Sequence, residues 1–284
     1  MTSDAEVLAS YRSRVLTFEF DSEQQELGQK NDSEQDYNRP KIAQRDLGDL
    51  STIATLTSVQ WGTWGGDSAC LMCVRVQFQK GLHKLLRFGQ ALIVIQYSCR
   101  PPGATANDPR VVDYGPKSLR AKPTEEDRTW WYDINFSAKA PAGPVSLGPG
   151  VNGGKNGKFA RKYAAEVTID DWSPRTHRFP NCVKCYLKED PKQADGVPCE
   201  LNMAVIIQAS GPCQATVVVR AGNIFNLLAT PWTRDDPVLL KPGVNYGTQV
   251  CGATAMDFQS LTKEDWKNLV TPDLEFSNRV HNTR

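Results

Sequence analysis

The strongest pattern in the chain is apolar residues on alternate positions, in short runs cut by glycine and proline. Three such runs follow one another at 183–187, 201–207 and 215–219. Leu201, Met203, Val205 and Ile207 share one parity, and the third run is almost wholly β-branched, as strands with a buried face require. Ser210-Gly211-Pro212 lies between the second and third runs and predicts a hairpin. Upstream, 53–64 reads as a strand that ends at the turn Gly65-Gly66-Asp67. Residues 70–78 then alternate, with Val74, Val76 and Phe78 on one face and Arg75, Gln77 and Gln79 on the other. The most apolar run, 91–97, predicts a central strand.

Weaker strands are expected at 11–20, 111–112, 130–136, 159–169, 223–228, 238–240 and 250–255, and 82–88 fits a strand or a helical turn. The best helix is 261–270, where Thr262 caps, Asp265 sits at N3, and Leu261 staples against Trp266. About ten strands separated by Gly/Pro turns, with one clear helix, predict a mainly β protein. The expected fold is an antiparallel β-sandwich, immunoglobulin-like in kind, with long loops and a short C-terminal helix. Residues 1–20 then form an N-terminal strand segment and 21–50 an acidic flexible insert. A single sandwich domain covers 51–258, and 259–284 hold the helix and tail. Six acidic residues against Lys30 within 21–37 are the reason for calling that stretch solvated. The loop 140–158, with six glycines and three prolines, excludes a regular element.

Composition narrows the function more than it names one. A net charge of +1 over 284 residues gives no whole-protein field toward nucleic acid or an anionic membrane. No apolar stretch is long enough for a spanning helix, and the opening residues lack the layout of a secretion signal. The expected location is therefore cytoplasmic or nuclear, not secreted, with the eight cysteines kept as thiols.

Two Cys-x-x-Cys pairs stand out chemically, Cys70/Cys73 and Cys182/Cys185. Four thiolates at that spacing suit a tetrahedral zinc. Both pairs fall inside strand-like runs, however, and residues i and i+3 of a strand point to opposite faces. That puts Cys70 with Val74 and Cys73 with Arg75. Acidic groups at Asp170-Asp171, Glu189-Asp190 with Asp195, and Asp235-Asp236 make Ca²⁺ the other candidate ion, though Asp in turns is favoured for its local backbone bonds. The three histidines, His83, His177 and His281, join no nucleophile elbow, and the lysines after Gly153-Gly154 lack P-loop spacing. No catalytic set is assigned. The remaining contact candidates are Trp130 and Trp131, which face opposite ways on one strand, and the basic group Lys155, Lys158, Arg161 and His177. The other tryptophans, Trp172 among them, are expected in the core.

The order of motifs is itself informative. A strand with V-x-x-Y-G-P at 111–116 is followed by a P-T-E-E turn at 123–126 and a Trp-bearing strand. After the glycine-rich loop come YLKEDPKQADGVP at 186–198 and DPVLLKPG at 236–243. Over 59–243 this layout resembles a group of uncharacterised filamentous-fungal proteins with a C2-like β-sandwich. The resemblance implies the architecture and carries no activity and no site residue. The leading expectation is a non-catalytic intracellular interaction module that binds a protein, a small apolar ligand or a membrane surface through loop ends and one sheet face. The alternatives are an enzyme holding a small hydrophobic substrate between its sheets, and a module stabilised by zinc or calcium.

Overall fold

A computed structural model describes residues 28–47, 50–79, 87–100, 108–120, 166–173, 178–190, 196–222, 235–250 and 256–271. Among these, twelve strands build two antiparallel sheets. The strands are β1 (Lys41–Leu47), β2 (Leu50–Trp64), β3 (Asp67–Gln79), β4 (Gln90–Cys99), β5 (Arg110–Gly115) and β6 (Ser118–Arg120). They continue as β7 (Glu166–Trp172), β8 (Cys182–Lys188), β9 (Glu200–Gln208), β10 (Cys213–Gly222), β11 (Val238–Leu240) and β12 (Tyr246–Gly247). The first sheet runs β1-β2-β3-β9-β5, with β12 beside β2; the second runs β11-β10-β4-β8-β7-β6.

The alternation read from sequence is what joins the sheets. Met72, Val74, Val76 and Phe78 of β3 and Leu201, Met203, Val205 and Ile207 of β9 face Ile93, Ile95 and Tyr97 of β4 and Val183, Cys185 and Leu187 of β8 in one core. The β-sandwich is thus present, with β4 inside its sheet as its apolar run predicts. Long β2 keeps its core face through a bulge at Thr57, which lies unpaired between Leu56↔Val74 and Ser58↔Cys73. Ala54 and Leu56 precede the bulge and Val59 and Trp61 follow it, so the inward parity switches by one residue there. Gly247 crosses this point with φ +68°, where a Cβ would lie 2.0 Å from the Thr57 carbonyl oxygen.

The terminal helix α1 (Lys263–Val270) has the predicted cap. Thr262 accepts from the Asp265 backbone N–H, and Asp265 bonds back to the Thr262 N–H. Trp266 and Val270 pack with Phe258 onto Ala69, Leu71, Cys73, Ala204 and Ile206, a second cluster on the outer face of the first sheet. This is why β9 is buried on both faces. Where the cover ends, the same face turns polar: Arg75 meets Glu200 at 3.5 Å, and Gln77 donates to Glu200 at 3.2 Å.

Two expectations need correction. Ser210-Gly211-Pro212 does not close a hairpin, because β9 pairs with β3 and β5 while β10 pairs with β4 and β11. The flanks of the turn bond to different strands: the Ala209 N–H donates to the Ser68 carbonyl, and the Pro212 carbonyl accepts from the Arg100 N–H. Turn residues fix a reversal of the chain, whereas the available strand edges fix which strands pair. The stretch 21–50 is likewise more than a solvated insert, since it contains β1, and Asn38 and Arg39 are buried. Of the other expected elements, 11–20, 130–136, 140–158 and 223–228 lie outside the described residues, as do 82–86 of the expected 82–88, 159–165 of 159–169 and 251–255 of 250–255.

Candidate binding face

The second sheet alternates as the first does, so its even positions on β4, β7, β8 and β10 point away from the core. The register sets them in rows: Arg220, Leu92, Tyr186 and Thr168 form one, Val218, Val94, Lys184 and Asp170 the next, and Thr216, Gln96, Cys182 and Trp172 the third. Leu92, Val94 and Val218 are half-buried, giving the face an apolar middle. Among the described residues no helix lies on this side, whereas α1 covers the outer face of the first sheet.

Three large hydrophobic side chains are exposed among the described residues: Trp172 (44%), Phe179 (45%) and Tyr186 (49%). Trp172 is thus not the core residue expected, because its position on β7 has the outward parity. All three belong to β7, β8 and the segment between them. Trp172 and Tyr186 stand on the outer face with Lys184 between, its Nζ 3.6 Å from the Trp172 ring centre. Phe179 is drawn to the same end because the Ser173 hydroxyl donates to its carbonyl at 3.0 Å. The Phe179 ring carries two guanidinium groups, Arg110 at 4.5 Å and Arg178 at 5.4 Å from its centre. Beside them Tyr114 donates to Asp171 at 3.4 Å under the ammonium of Lys117, 3.3 Å from the ring centre. Partial burial, more than the neighbouring aspartates, pushes the Tyr114 phenol above its usual range. Opposite charges face each other across the ladder, Asp170 with Lys184 and Glu166 with Lys188. The outer face at Trp172, Lys184 and Tyr186 is therefore aromatic with paired opposite charges, while Phe179 and Tyr114 stack cations of β5 and the segment after it, at the neighbouring edge.

The sequence-derived candidates fall elsewhere. Trp130, Trp131, Lys155, Lys158, Arg161 and His177 lie outside the described residues. Cys70, Cys73, Cys182 and Cys185 are buried thiols. Cys70 joins the main core and Cys73 the cluster under α1, so the strand parity separates them, while Cys185 faces the core from the other sheet. Burial pushes Cys73 up to about 12 and lifts Cys70 and Cys185 above the ordinary thiol range, which disfavours the thiolate that zinc needs. Among the described residues no three His, Cys, Asp or Glu side chains converge as metal ligands.

The acidic groups have structural partners. Asp235 accepts from the Gln29 N–H at 2.8 Å and pairs with Arg45. Asp236 accepts from the Asn31 N–H at 3.0 Å and pairs with Lys30 at 3.2 Å. Glu189 holds Arg87 at 2.8 Å and the Gly196 N–H at 3.0 Å. Sequence reasoning missed Trp172, Phe179 and Tyr186 as a group. Tyr186 was legible, because Val183, Cys185 and Leu187 claim the inward parity and leave Lys184, Tyr186 and Lys188 outside. Compared with known proteins, the chain matches no family model, no curated protein and no solved structure.

Proposed function

We propose that the protein is a non-catalytic binding module that docks a partner polypeptide on the outer face of its second sheet. The observation carrying this reading is that Trp172 and Tyr186, two of the three exposed large hydrophobics among the described residues, stand on this face, and the third, Phe179, lies in the segment that joins their strands. A monomer's surface normally scatters such residues singly, and a cluster of Trp, Phe and Tyr is typical of a contact surface. Aromatic rings offer area at small entropic cost, and the stacked cations keep them soluble while unoccupied. The half-buried Leu92, Val94 and Val218 extend the apolar contact toward the centre of the sheet. Among the described residues no helix is long and apolar enough to cross a membrane. The C2-like resemblance serves for architecture alone, and the protein is placed in the cytoplasm or nucleus, where cysteines rest as thiols until an oxidant reaches them.

A phage-displayed random peptide library selected on the full chain tests the reading, with counter-selection on the variant carrying Trp172→Ser, Phe179→Ser and Tyr186→Ser. Because these side chains are exposed, the variant should keep the thermal midpoint of the parent. Peptides rich in apolar residues that bind the parent and lose at least tenfold in affinity on the variant are expected. Equal binding to both proteins, or no enrichment on the parent, would overturn the assignment.

A further inference from the structure

Cys99 near the end of β4 and Cys213 at the start of β10 are directly opposite in the antiparallel ladder. The Arg100 N–H donates to the Pro212 carbonyl at 3.0 Å, so the backbone bonds flank the pair and do not join it. Cys99 and Cys213 therefore form a non-hydrogen-bonded pair, the type whose Cα atoms stand about 4.5 Å apart with their side chains on one face. That separation lies within the range of about 4.4–6.8 Å that a disulfide spans. Both residues are thiols in this structure. Cys213 is buried at 1% exposure, while Cys99 is half-buried and closer to solvent. Tyr97 and Ala215, the next pair inward, show that this face points into the core.

We infer that Cys99 and Cys213 are a thiol–disulfide modification site, oxidised by a low-molecular-weight disulfide of the glutathione type. The Cys99 thiolate attacks one sulfur of the oxidant, forming a mixed disulfide and releasing one glutathione thiolate. Deprotonated Cys213 then attacks the Cys99 sulfur, closes the cross-strand bond and expels the second glutathione thiolate. Two protein thiols lose two electrons and two protons, and one glutathione disulfide becomes two glutathione thiols. Burial, and then the neighbouring Cys99, pushes the Cys213 thiol up to about 12, so closure is the slow step and speeds up as pH rises above neutral. The bond ties β4 to the point where the chain crosses from one sheet to the other, and it closes a long loop in the unfolded chain.

Reduced full-length protein is incubated with glutathione disulfide at mildly alkaline pH and mapped by mass spectrometry without reduction. The expected product has lost two hydrogens, links the peptides of Cys99 and Cys213, unfolds at a higher temperature than the reduced form, and reverts with dithiothreitol. Cys213→Ala should halt at one glutathione on Cys99; if that variant does not fold, the map of the parent decides. The inference is overturned if the parent stops at glutathionylated Cys99 with Cys213 still a thiol, or if Cys213 is linked to Cys70 across the core.

Discussion

Asp265 shows how one side chain links pH to the docking of an element. Its carboxylate accepts from the Thr262 hydroxyl at 2.7 Å and the Thr262 N–H at 2.8 Å. Both bonds favour the ionised form, the hydroxyl more, and hold the carboxyl below the ordinary aspartate range. A depressed folded-state pKa means that the unfolded chain takes up protons first. The contribution is thus complete above the ordinary carboxylate range and is lost as pH falls through the depressed value. Asp265→Asn should cost about 1 kcal/mol near neutral pH, the usual worth of a cap. Urea midpoints at pH 7 and at strongly acidic pH check this, with the gap between parent and variant shrinking at the acidic value. An equal gap at both would show that ionisation plays no part.

At the scale of elements, α1 decides which face of the first sheet is core and which is surface. Trp266 lies over β5, close enough that a Cβ on Gly115 would sit 2.8 Å from its ring. It covers one end of β3 and β9, and beyond it the same face carries the polar side chains of Arg75, Gln77 and Glu200. Trp266→Ala should remove about 3–5 kcal/mol, as loss of a buried large aromatic does. Amide exchange at Leu71 and Ile206 should rise together in that variant, because both lose their cover at once. Protection unchanged at these amides would mean that the helix is not what seals them.

Over the whole molecule, the two sheets are tied along one side by the segment before β1. The Asn38 N–H donates to the Leu239 carbonyl at 2.9 Å, and Tyr37 bridges to the same residue, which places the start of the first sheet against β11 of the second. Arg39, 8% exposed, donates to Asn31 at 2.9 Å and to the Asp236 carbonyl at 2.8 Å, and also reaches the Lys41 carbonyl. Arg45 adds a partly buried pair with Asp235. Arg39→Ala strands several carbonyls and should cost about 3 kcal/mol, near the upper worth of bonds to a charged group. Denaturant unfolding measures the loss, and faster exchange at β1 and β11, with β4 and β8 unaffected, would locate it.

What the sequence determined by itself is local. Alternation marked β3, β4, β8, β9 and β10, because a strand that buries one face must carry apolar residues at a period of two. Thr262, Asp265, Leu261 and Trp266 marked the helix, because a cap is written within one turn. The same parity assigns Cys70 and Cys73 to opposite faces of β3, since three residues along a strand is an odd step. The tertiary structure alone decided what depends on residues far apart in the chain. Lys41–Leu47 lacks a clean alternation and becomes β1 through its pairing with β2. Ser210-Gly211-Pro212 looks like a hairpin turn and becomes a crossing between sheets, since pairing follows the free energy of the whole ladder and not of the turn. The meeting of Trp172 with Tyr186 on one face, and the facing thiols of Cys99 and Cys213, arise from register between strands, which no single run of sequence records.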